Sequence, residues 1–124
     1  MLGSSDLVAF VATTDLDRAR VFYAEVVGLS VIEESPFACV FDANGTRLRV
    51  TPVGEIQTAP HTVLGWMVDD MVATVNALDA AGVTFERFPG MDQDEIGVWV
   101  SPSGARVAWF TDPDGNVLSL TQAR

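Results

Sequence analysis

Lysine is absent from this 124-residue chain: its seven basic side chains are all arginines, at positions 18, 20, 47, 49, 87, 106 and 124. Mechanisms that begin from a Schiff-base or low-pKa lysine are therefore excluded. Positive charge is scarce altogether, since 17 acidic residues leave a net charge of −10. A duplex phosphate backbone would be repelled, so nucleic acid is not an expected partner. Such a surface keeps a protein soluble, and it would also steer a cationic ligand. Cysteine is reduced to Cys39, which can form no intrachain disulfide, and nothing points to an oxidising compartment. Between Phe37, Ala38, Val40 and Phe41 it reads as a small buried hydrophobe. No stretch approaches the roughly 18 consecutive apolar residues of a membrane span. The start Met1-Leu2-Gly3-Ser4-Ser5-Asp6 lacks the basic and apolar regions of a signal peptide. The expectation is a cytoplasmic chain with no membrane partner. Also missing are a nucleophile–base pair, a glycine-rich phosphate loop and two carboxylates placed for acid–base work.

What is present suffices for a core. Hydrophobic residues make up 48% and charged residues 19%, ordinary globular usage, and the length predicts one domain over 1–124. The apolar run 7–11 predicts a strand. Thr13, Thr14 and Asp15 then supply capping chemistry for a helix whose Leu16, Ala19, Phe22, Tyr23 and Val26 share a face and which stops at Gly28. Three strands follow, over 29–33, 37–42 and 46–51, the last two joined by the hairpin signal Asn44-Gly45.

The order then repeats. A strand over 62–68 leads into a helix opened by Asp69-Asp70, carried by Met71, Val72, Val75 and Leu78, and ended at Gly82. Strands over 83–87, 106–111 and 117–121 follow, with Asp112-Pro113-Asp114-Gly115 as the last turn. Asp15 to Gly28 and Asp69 to Gly82 both span 13 positions at an offset of 54, whereas Gly45 and Gly115 are 70 apart. About 16 extra residues therefore sit in the second half, and the composition assigns them to an inserted loop or hairpin over 88–104. That segment reads either as a lid or as an edge hairpin with a solvated tip.

Two tandem βαβββ modules, 6–52 and 61–122, carry Asp15-Leu16-Asp17-Arg18-Ala19-Arg20-Val21-Phe22-Tyr23 in the first and Trp109-Phe110-Thr111-Asp112-Pro113-Asp114-Gly115-Asn116 in the second. This pattern resembles the vicinal oxygen chelate superfamily of glyoxalases, bleomycin-resistance proteins and extradiol dioxygenases, over nearly the whole chain. The resemblance implies an α+β fold in which the two modules form an open barrel-like trough, helices outside and a ligand cavity inside, often completed in a homodimer. It also implies a divalent metal held by the first and last strands of each module. The matching positions are Val8 and Val63, seven residues before Asp15 and Asp70, and Arg49 and Ser119, four past Gly45 and Gly115. Val, Arg, Val and Ser cannot supply the imidazole and carboxylate donors such an ion needs. His61, two residues before Val63, would be the one rescue if the same alternation held. No metal and no other cofactor is expected.

Alternation along the strands, counted from those four positions, predicts which side chains line the cavity. They are Val8, Phe10 and Ala12; Arg47, Arg49 and Thr51; Val63, Gly65 and Met67; Val117, Ser119 and Thr121; with Ala38 and Val40 opposite Arg49 and Ala108 and Phe110 opposite Ser119. The alternate set, which includes Trp66 and Trp109, belongs under the helices. Arg49 would meet a ligand carboxylate, phosphate or carbonyl, or else pair with Glu33 or Asp42. Phe10, Met67 and Phe110 would enclose a planar ligand or fill the barrel themselves. Trp99 would overhang the cavity mouth or bury itself at a dimer contact. Asp92, Asp94 and Glu95 read as a solvated tip or as a lure for a basic ligand or ion. The expected function is a metal-free binding protein that holds a small organic molecule in an apolar, aromatic-lined cavity, as a resistance protein sequesters a drug. The alternative is a lyase or isomerase acting without the usual metal, with Arg49 polarising a carbonyl.

Overall fold

A computed structural model describes all 124 residues, and the chain divides into two compact units, Met1–Gln57 and Thr58–Arg124. The first opens with a short 3-10 turn, Leu2–Ser4, and contains strand β1 (Val8–Thr13), helix α1 (Leu16–Val21), and strands β2 (Ser30–Ser35), β3 (Ala38–Ala43) and β4 (Thr46–Pro52). Its sheet runs β1-β4-β3-β2, with β1 parallel to β4 and the other pairs antiparallel. The second contains β5 (Thr62–Met67), α2 (Met71–Ala80), β6 (Trp99–Val100), β7 (Arg106–Thr111) and β8 (Val117–Gln122), in the equivalent order β5-β8-β7-β6. The protein is thus α+β, built from two four-stranded sheets.

Each helix is held by the same device at its start. Asp15 accepts a hydrogen bond from the Arg18 backbone N–H, and Asp70 accepts one from Ala73, both at 3.1 Å. The true partner of Asp15 is therefore Asp70 rather than Asp69. The first helix is one residue longer between its cap and its terminal glycine, and a π-type turn over Phe22–Val26 absorbs that residue. Widening the helix there lets the neighbours Phe22 and Tyr23 both bury, their rings edge-to-face at 5.1 Å. Gly28, at φ +90°, then ends the helix, and the Leu29 N–H bonds back to the Tyr23 carbonyl.

Alternation decides the packing. Leu48, Val50, Cys39 and Phe41 turn toward α1 and are buried with Tyr23, whose ring lies 5.9 Å from that of Phe41. In the second unit Ala108, Phe110, Leu118 and Leu120 are buried on the side of Met71, Val75 and Leu78 of α2. The opposite face of each sheet carries no helix of its own unit.

The two hairpins that set the register differ in length by one residue. Asn44 and Gly45, both with positive φ, make a two-residue turn in which Ala43 pairs with Thr46. In the second unit Asp112 N–H bonds to the Asn116 carbonyl, enclosing three residues, Pro113, Asp114 and Gly115. The buried Asp112 carboxylate ties this loop, accepting from the N–H groups of Asp114 and Asn116 and from the Asn116 side chain. An odd loop reverses the parity, so Trp109 faces Ser119, and Phe110 pairs with Leu118. The assignment of Phe110 and Ala108 to the cavity side is thereby corrected: Phe110 is 1% exposed, on the helix side, against Phe85.

The expected strand over 83–87 reduces to a single bridge, Phe85 to Phe110. The edge strand resumes only at Trp99, opposite Val107. The chain thus advances 14 residues while its partner retreats three, so eleven residues are looped out within one edge strand. Replacing Asp112 by Ala should strand at least two buried N–H donors and lower stability by about 2 kcal/mol, read as a shifted urea midpoint at unchanged slope.

Candidate functional site

The face of the first sheet opposite α1 is a grid of cross-strand rows, in which Val40 is buried. Phe10 on β1 stands beside Arg49 on β4, then Val40 on β3, then Glu33 on β2; the next row begins Val8, Arg47 and Asp42. Phe10 is 63% exposed, Val8 is exposed, and Arg49 is half-buried. Neither Glu33 nor Asp42 forms a salt bridge with Arg49, and Asp42 instead accepts a hydrogen bond from the Gly45 N–H. A half-buried guanidinium between an aromatic ring and an aliphatic side chain is suited to a carboxylate, sulfonate or carbonyl oxygen.

On the second sheet the rows are Gly65–Ser119–Trp109 and Met67–Thr121–Val107–Trp99, running across β5, β8, β7 and, for the longer row, β6. Met67 is 71% exposed. The Trp99 and Trp109 rings lie 6.1 Å apart at 38°, and Phe88 meets Trp109 edge-on at 5.3 Å. Phe88, Trp99 and Trp109 thus form one aromatic platform. Alternation could have found Trp109 had the last turn been counted as three residues; Phe88 has no sequence signal, because the looped-out segment alone brings it there.

His61 precedes β5 and lies outside the strand pairing. A register shift between Thr62 and Leu64 puts Thr62 opposite Val117 and leaves Val63 as the extra, exposed residue of a bulge. The alternation that would have carried His61 alongside Val63 is broken, and the His61 ring lies against the Thr62 carbonyl at 3.2 Å.

The segment after Phe85 is tied down rather than free. Gln93 donates to the carbonyls of Glu86 and Gly97 and accepts from the Phe88 N–H, while Asp94 accepts from Ile96 and Val98 and Arg87 donates to the Glu95 carbonyl. The carboxylate of Asp94 is thus engaged in the loop's own turns. Gln93 holds both ends of the segment, and with them the rings of Phe88 and Trp99.

Two grooves lie elsewhere. One, of ≈290 Å³, runs between α2 and the segment from Thr84 to Gly97. The other, of ≈510 Å³, lies beside α1 and is lined by Asp15, Arg20, Glu34 and Cys39, with Arg20 and Glu34 paired at 3.1 Å. Burial, reinforced by Glu34 and opposed by Arg20, pushes the Cys39 thiol above its ordinary pKa, which keeps it protonated and unreactive.

Residues 6–120 match the family described as the Glyoxalase/Bleomycin resistance protein/Dioxygenase superfamily. The chain belongs to that superfamily. A curated relative from Vibrio cholerae serotype O1, "Probable lactoylglutathione lyase", is 27% identical over 124 residues, covering 87% of this chain and 83% of that one. The crystal structure of a lactoylglutathione lyase from Agrobacterium tumefaciens superposes with a TM-score of 0.75 at 17% identity, covering 98% of this chain and 96% of that one. That of TnmS3, an antibiotic binding protein from Streptomyces sp. CB03234, gives 0.70 at 25% identity, covering 100% and 99%.

At Val8, Arg49, Val63 and Ser119, the positions that the resemblance marked for a metal, no imidazole or carboxylate stands, and the structure brings no three His, Cys, Asp or Glu side chains together. Two outcomes follow. Elemental analysis of purified protein should find far less than one equivalent of zinc, nickel, manganese or iron, and EDTA should leave Tm unchanged. Gln93→Ala should release both ends of the looped segment, read as faster amide exchange over 88–98 and a shifted tryptophan emission.

Proposed function

We propose that this superfamily member binds a small, largely apolar aromatic molecule on its uncovered sheet faces and acts by holding it, as in sequestration of a drug-like compound. The observation that carries this reading is the character of those faces. They present Phe10, Met67 and the Phe88–Trp99–Trp109 platform, with Arg49, Thr121 and Ser119 among them and the charged Arg47, Asp42 and Glu33 further along the first sheet's rows. Likeness to an antibiotic binding protein over the full chain supports it. A homodimer is part of the proposal, since exposed Phe10, Val63 and Met67 are apolar surface that a second copy would cover.

The second reading, a lyase, is favoured by one finding, the 27% identity to a protein described as a probable lactoylglutathione lyase. It requires Arg49 to polarise a carbonyl and Ser119, His61 or a carboxylate of the looped segment to move a proton.

8-Anilinonaphthalene-1-sulfonate, an aromatic anion, separates the readings. Its fluorescence should rise saturably on titration with the protein, and Arg49→Ala should weaken binding about tenfold through loss of a charge-assisted contact. Native mass spectrometry should give twice the chain mass. Conversion of lactoylglutathione to glutathione and methylglyoxal, or the reverse, abolished in Arg49→Ala, would replace the binding reading by the lyase.

A further inference from the structure

On the uncovered face of the second unit a missing side chain lies against an unpaired hydroxyl. Gly65 and Ser119 are partners across β5 and β8, and Trp109 flanks Ser119 on its other side. A Cβ on Gly65 would stand 2.8 Å from the Ser119 Oγ. Gly65 has no positive φ, so its backbone does not require glycine; what an alanine would take away is the space beside the hydroxyl. Ser119 is only 9% exposed, yet its Oγ makes no hydrogen bond within the protein and is not sealed from solvent. A polar atom so placed is partly withdrawn from water and has gained no protein partner. The same position in the first sheet holds Arg49, beside Phe10, so the notch belongs to the second sheet alone.

We propose that Gly65 and Ser119 form a notch that selects aromatic ligands bearing an edge oxygen, a phenolic hydroxyl or a quinone-type carbonyl. The ring rests against Trp109, and the oxygen reaches through the space left at Gly65 to hydrogen-bond the Ser119 Oγ. This rests on the aromatic-binding reading above and adds to it a ligand class and a specificity-determining pair. Serine can serve either oxygen, because its hydroxyl donates to a carbonyl and accepts from a phenol. Trp99 and Phe88, held by Gln93, keep the Trp109 ring in place beside the notch.

2-Naphthol and naphthalene differ by a single hydroxyl and can be titrated against the protein by quenching of tryptophan fluorescence. The preference for 2-naphthol over naphthalene should be about fivefold larger in the wild type than in Ser119→Ala, the size of one net hydrogen bond. Naphthalene affinity should be the same in both. Gly65→Ala keeps the hydroxyl but puts a Cβ 2.8 Å from it, which fills its approach, and should show the same drop in preference. An equal preference in the wild type and either variant overturns the notch and leaves the aromatic-binding reading standing. Failure of the wild type to bind either compound overturns both.

Discussion

Burial of one row set on each sheet is the constraint from which the remaining features follow. Leu48, Val50 and Phe41 beneath the first helix, and Leu118, Leu120 and Phe110 beside the second, remove their apolar surface from water. Since successive strand residues point to opposite faces, committing these side chains inward commits Phe10, Arg49, Met67, Ser119 and Trp109 to the other face. A one-residue slip would exchange the two sets entirely, which is why the short loops carry such weight. Asn44-Gly45 and the Asp112-bound Pro113-Asp114-Gly115 loop are the places where that register is set.

Duplication supplies the scaffold, and divergence supplies the chemistry. Corresponding rows read Phe10–Arg49–Val40 in one sheet and Gly65–Ser119–Trp109 in the other. The first offers a cation next to a ring, the second a recessed hydroxyl next to an indole. One fold thus presents two chemically different rows, in keeping with the general separation of fold from function. The added segment within the β6 edge extends the second row, because its internal hydrogen bonds through Gln93 and Asp94 bring Phe88 and Trp99 to Trp109.

Much of this was legible in the sequence. The repeat, the aspartate caps, the helix-ending glycines and the Asn-Gly hairpin are local properties, determined by residue type and spacing within a few positions. The open-face assignment of Val8, Phe10, Arg49, Met67 and Ser119 also needed only alternation within a strand. Tertiary structure decided what alternation cannot carry across an interruption. The three-residue loop exchanged Phe110 for Trp109, the bulge at Val63 broke the alternation at the start of β5, and the split edge strand placed Trp99 opposite Val107 after eleven looped-out residues. Each depends on which backbone groups pair across strands far apart in the chain, and parity inferred from one strand is lost wherever an odd number of residues intervenes.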